Sequence, residues 1–68
     1  METQAIKSVD ELQNGDILVN TNHGFEIEIV DIGKKIHATS IKKLARKLKA
    51  SLKKFNFMLR EGVFVKAA

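Results

Sequence analysis

The hydrophobic positions change period along the chain. Across residues 25–31, FEIEIVD puts Phe25, Ile27 and Ile29 on one side and Glu26 and Glu28 on the other, the pattern of a strand with one buried and one wet, acidic face. The preceding run, residues 16–20 (DILVN), is short, apolar and β-branched, and Thr21-Asn22-His23-Gly24 separates the two. This predicts a hairpin, with Gly24 supplying the positive φ its loop needs. Asp31-Ile32-Gly33-Lys34 reads as a second turn and residues 35–38 as a third strand, completing an antiparallel meander that needs a cover for its apolar face.

Residues 41–60 read at a different period. At 3.6 residues per turn, Ile41, Leu44, Ala45, Leu48, Leu52, Phe55 and Leu59 fall within an arc of roughly 100°, the width of a core-facing helical stripe. Lys42, Arg46, Lys49, Lys53 and Arg60 line the other side, with Lys43, Lys47 and Lys54 in a second row beside them. A long amphipathic helix beginning near Thr39 or Ser40 is therefore the predicted cover. Its first turn would hold Lys42 and Lys43, where the helix dipole favours acids, which marks that end as an anion contact.

The ends of the chain leave alternatives. Residues 1–7 suit a frayed start or a short edge strand. Ser8 with Glu11 three residues on has capping-box spacing, and Asn14-Gly15 suits a left-handed stop, so one helical turn near residues 9–13 fits. Glu61-Gly62-Val63 has the form of a glycine helix stop with Val63 folded back on the preceding turn. The rival reading ends the helix near Phe55 and pairs residues 56–60 with 63–66; the continuous helix is preferred. Residues 63–66 form a final strand either way, against an edge of the meander or against residues 3–7.

The predicted fold is thus α+β: a small three-stranded antiparallel meander packed against one long basic amphipathic helix, with a short C-terminal strand, in a single domain over residues 1–68. A chain of 68 residues buries only about 60% of its unfolded surface, so stability is expected to be thin. The absence of cysteine excludes a disulfide framework or thiolate metal site and suits a reducing compartment, the cytoplasm. No window is apolar enough to span a membrane, and the opening residues lack the order of a signal peptide.

Charge sharpens the picture. Residues 1–32 carry seven acids and one base, whereas residues 33–60 carry ten bases and no acid. The net charge of +4 matters less than this segregation, which makes the folded molecule dipolar, with one face built to meet an anion.

Enzymatic constellations are not evident. His23 reads as a turn residue and His37 as a strand residue, without metal-ligand spacing. Glu26 and Glu28 read as the wet side of a sheet, and the four glycines are isolated turn positions rather than a phosphate loop. No cofactor or metal is expected.

The basic helix is the one feature above background. It suggests a non-enzymatic nucleic-acid-binding protein whose Lys42, Lys43, Arg46, Lys47, Lys49, Lys53, Lys54 and Arg60 contact phosphate backbones with little sequence specificity. Lysine dominance favours point-charge contacts with duplex DNA or structured RNA. Trp and Tyr are absent, and Phe57 alone stands on the basic side for stacking. The alternative is a protein-interaction module, a small regulator or inhibitor docking its basic or acidic face on a partner protein, or pairing with a second copy. The lysine-rich helix resembles the final helix of double-stranded RNA-binding domains, but a further strand follows it here, so the order of elements departs from that family.

Overall fold

The computed structural model describes residues 2–41 and 47–67. Six strands, β1 (Thr3–Gln4), β2 (Ile17–Asn20), β3 (Glu26–Ile32), β4 (Lys35–Ser40), β5 (Lys47–Ser51) and β6 (Phe64–Ala67), make one antiparallel sheet in the order β1-β6-β2-β3-β4-β5. One helix of nine residues, α1 (Leu52–Arg60), joins β5 to β6. A 3₁₀ turn (Val9–Glu11) lies between β1 and β2.

The predicted hairpin is present. Leu18 of β2 faces Ile27 of β3, and both are buried. Its loop is organised by Asn20, a buried polar residue whose Oδ1 accepts the N–H groups of Asn22 and His23, both at 2.9 Å. The backbone turns at Gly24, φ 75°, and Thr21 Oγ1 donates to the Gly62 carbonyl at 2.6 Å, tying the loop to the approach to β6.

Within β3 the register against β4 shifts between Ile29 and Asp31. This bulge leaves Val30 exposed and returns Ile32 to the side of Ile29 and Ile36. Strict alternation would have put Ile32 on the wet face; one extra residue corrects the phase.

The expectation of a three-stranded meander under one long helix is overturned. Residues 47–51 form a fourth strand of the meander, β5, paired with β4 from Thr39↔Lys47 to Lys35↔Ser51. Residues 42–46, the predicted first turns of the helix, lie outside the described residues. Helix begins only after Ser51, whose side chain caps it by accepting the Lys54 N–H at 3.1 Å. Two physical causes favour the strand. Lys47-Leu48-Lys49-Ala50-Ser51 alternates wet and apolar as well as it fits a helical stripe. The outer edge of β4 also carries backbone donors and acceptors that need a partner, which β5 supplies.

The end of the helix follows the preferred reading. Gly62 N–H donates to the Leu59 carbonyl at 3.2 Å and Val63 N–H to the Met58 carbonyl at 3.0 Å, the paired bonds of a Schellman stop, with Gly62 at φ 75°. The final strand takes both offered partners: β6 lies between β1 and β2. The Ser8 cap is also present, its Oγ accepting the Asp10 N–H at 3.2 Å, although Glu11 reaches back to the Lys7 N–H rather than to Ser8.

α1 packs against β4, β5, β6 and the 3₁₀ turn. Phe55, wholly buried, stacks on Phe64 with ring centroids 5.6 Å apart. Ile6, Val9, Leu12, Leu18, Ile27, Ile29, Ile36, Ala38, Ala50 and Leu59 complete the core. Among the described residues no helix is long and apolar enough to cross a membrane.

Candidate functional site

The basic residues expected on one helical face occupy two elements. Lys47 and Lys49 stand on the solvent side of β5, with Leu48 and Ala50 turned toward the core. Lys53, Lys54 and Arg60 are exposed on α1. Lys42, Lys43 and Arg46 fall outside the described residues. A single continuous basic helix face is therefore not what this chain builds. A strand turns successive side chains to opposite sides, and the helix starts its own rotation at Leu52.

On the sheet, register places cations and carboxylates in rows. Lys47 lies opposite Thr39, which lies opposite Glu28; Lys49 lies opposite His37, which lies opposite Asp31. Each lysine is thus two strands, roughly 10 Å, from a carboxylate on the same face. That is about one Debye length at 0.1 M salt, so the acids weaken any pull of β5 on a distant anion. Glu26 and Glu28 occupy the wet face of β3 as expected, Glu26 half-buried and Glu28 exposed.

On the helix the surroundings differ. Lys53, Asn56 and Arg60 line an open groove of about 520 Å³ together with Lys7 and Ser8 from the segment leading into the 3₁₀ turn. Asn56 fastens the two walls: its Oδ1 accepts the Val9 N–H at 2.8 Å. Among the described residues no acidic side chain lines the groove. Three acids flank the lining residues in sequence, Asp10, Glu11 and Glu61; of these, Glu11 has its Oε2 on the Lys7 backbone N–H at 2.9 Å. Among the described residues the ion pair present is Lys66 of β6 with Asp16, at 3.5 Å, so within that set Lys7, Lys53 and Arg60 have no carboxylate partner.

Lys7, Ser8 and Asn56 were not among the contact residues expected from the sequence, where Ser8 read only as a helix cap. Lys7 is the lone base of the acidic half, and only the docking of α1 on the 3₁₀ turn brings it beside Lys53 and Arg60. Phe57 stands on the helix with the basic residues and is 55% exposed. His23 sits in the hairpin loop stacked on Phe25, ring centroids 6.3 Å apart, and His37 lies on the outer face of β4. Among the described residues no three His, Asp or Glu side chains come together as metal ligands.

Chemically, the groove is rich in donors: two ammonium groups, a guanidinium, a hydroxyl and a side-chain amide, the last two also accepting the Asp10 and Val9 N–H groups. Such a set has the chemistry to donate to phosphate or carboxylate oxygens. No protein-family model, curated protein or solved structure matches the chain.

Proposed function

We propose that this chain is a small, non-enzymatic nucleic-acid-binding protein that contacts phosphate backbones with little sequence specificity and works in the reducing cytoplasm. The observation that carries this reading is the set of exposed cations on α1 and at Lys7, clustered around a groove with no acid in its lining. Lysine and arginine in that setting neutralise phosphates and release condensed counterions, which gives salt-dependent binding largely blind to base sequence.

The test is a mobility shift with DNA and RNA at low and moderate salt. Binding is expected at low salt and should weaken linearly on a logarithmic plot against salt, with a slope set by the number of phosphates neutralised. Absence of binding to any nucleic acid at low salt overturns the reading. It would transfer the basic surface to an acidic protein partner, which capture from lysate would then seek.

A further inference from the structure

Three surfaces stand apart from the core: the row of cations and acids on the outer sheet face, the His23–Phe25 hairpin tip, and the outward side of α1. The first balances its own charge, and the second combines one stacked ring pair with no cluster of cations. The third joins charge, donor geometry and an exposed aromatic ring in one place.

On an ideal helix Phe57 projects about 160° away from the buried Phe55, so it marks the side facing solvent. Lys53 stands about 40° from it, and Arg60 and Lys54 about 60° to either side. Phe57 is thus bracketed by three cations at i−4, i−3 and i+3. It belongs to none of the aromatic stacks, which pair His23, Phe25, Phe55 and Phe64. The other large exposed apolar residues, Val30 and Ile41, offer no ring.

We infer that this side of α1 binds single-stranded nucleic acid: Phe57 stacks on an unpaired base while Lys53, Arg60 and Lys7 hold the adjoining phosphates along the groove. The inference rests on the nucleic-acid reading above and narrows it to single strands, in place of the duplex DNA or structured RNA that lysine dominance suggested. A duplex keeps its base faces covered, and exposing one costs a few kcal/mol of unstacking. A single strand presents base faces and phosphates together, as an exposed ring among cations requires.

The dimensions agree. Lys53 and Arg60 are about 10 Å apart along the helix axis, the length of about three phosphates on a stacked strand. Asn56 has committed its carbonyl to Val9 N–H, so its amide N–H₂ and the Ser8 hydroxyl add donors between the cations. An anionic bilayer is the weaker match, because the apolar face of α1, Phe55 and Leu59, is buried in the core and leaves Phe57 as a lone insertion point.

The chain has neither Trp nor Tyr, so Phe57→Trp places a single fluorophore at the proposed stacking position without touching the core. It is titrated with oligo(dT), oligo(U), a duplex of equal length, inorganic polyphosphate, and phosphatidylserine–phosphatidylcholine vesicles. Saturable quenching by the single strands is expected, whereas polyphosphate, which has no bases, should bind without quenching. Response to oligo(dT), to oligo(U) or to both supports the inference and tells DNA from RNA. In a parallel shift assay Phe57→Ala, checked for folding by circular dichroism, should weaken single-strand binding roughly tenfold and erase the preference for single strand over duplex. Strand binding without quenching, equal affinity of Phe57→Ala and parent, or a spectral response to vesicles alone overturns the inference. If nucleic acid still binds, the broader reading survives that failure; if no nucleic acid binds at all, both fall.

Discussion

β5 and α1 follow one another without a loop, and both are basic, yet they hold their charges in opposite surroundings. β5 sets Lys47 and Lys49 on a sheet face that carries Glu28 and Asp31 two strands away. α1 sets Lys53 and Arg60 beside a groove lined by Lys7, Ser8 and Asn56, without an acid. The strand draws its order from hydrogen bonds to β4, while the helix is held by the burial of Phe55 and Leu59. Equal numbers of lysines on a sequence therefore do not make equal electrostatic surfaces. What decides is which neighbours the local period and the register bring within a Debye length.

The largest expected difference between the two elements lies in their anchoring. Phe55→Ala removes a wholly buried ring stacked on Phe64 and should cost about 3–5 kcal/mol. That is comparable to the whole stability of a domain this small, so the variant should be largely unfolded by circular dichroism. Leu48→Ala, the half-buried counterpart in β5, should cost about 1–2 kcal/mol in a urea melt, since only part of its transfer term is at stake. Equal losses from the two would mean that strand and helix carry the core alike.

Next is the link between α1 and the 3₁₀ turn. Asn56→Ala leaves the Val9 N–H without the acceptor it has at 2.8 Å and should lose about 1–3 kcal/mol. Asn56→Asp, which keeps an acceptor oxygen, should lose less. Amide exchange at Val9 is the direct readout; protection there unchanged in Asn56→Ala would show that the groove's two walls are joined by other contacts.

Why the hairpin was legible and β5 was not comes down to how many residues each period had to declare itself. Residues 25–29 alternate apolar and acidic without an exception, and no helical stripe fits them. Residues 47–51 satisfy both periods, because Leu48, Leu52, Phe55 and Leu59 are spaced by four, three and four while Lys47 and Lys49 flank Leu48. The local signal against a continuous helix was Ser51, a capping residue in the middle of the supposed helix. The stronger cause, the unpaired edge of β4, is tertiary and absent from any local window. At the site, Lys53, Lys54, Phe57 and Arg60 were readable together because they share one helix. Lys7 and Ser8 were not, since the docking of α1 on a segment more than forty residues earlier has no spacing that announces it. The β3 bulge at Val30 was likewise invisible, because its use appears only when Ile32 must face Ile36.

Ser51→Ala probes the boundary between the two elements through the sign of its effect. As a helix cap accepting the Lys54 N–H, Ser51 should be missed by about 1 kcal/mol when replaced. Within a continuous helix the same change would instead stabilise by up to about 0.5 kcal/mol, because alanine is the better helix former. A urea melt resolves the two directions, and a gain in stability would restore the long helix and dissolve the contrast between β5 and α1.

The smallest expected effect concerns charge alone. Lys53→Gln with Arg60→Gln, and separately Lys47→Gln with Lys49→Gln, remove two positive charges each from exposed positions, so neither pair should shift stability by more than about 0.5 kcal/mol. Their effects on single-strand affinity near 0.1 M salt should differ. The helix pair removes direct phosphate contacts and should lower the logarithmic salt slope by about 1.4, or roughly 0.7 per phosphate. The strand pair acts only through a field already opposed by Glu28 and Asp31, so it should lower affinity two- to threefold, under about 1 kcal/mol, and leave the slope nearly as it was. If the strand pair changed the slope as much as the helix pair, phosphates would be reaching the outer face of the sheet. The contact surface would then follow β5 around the molecule, and the acids on β3 would have to be screened or turned aside by the bound strand.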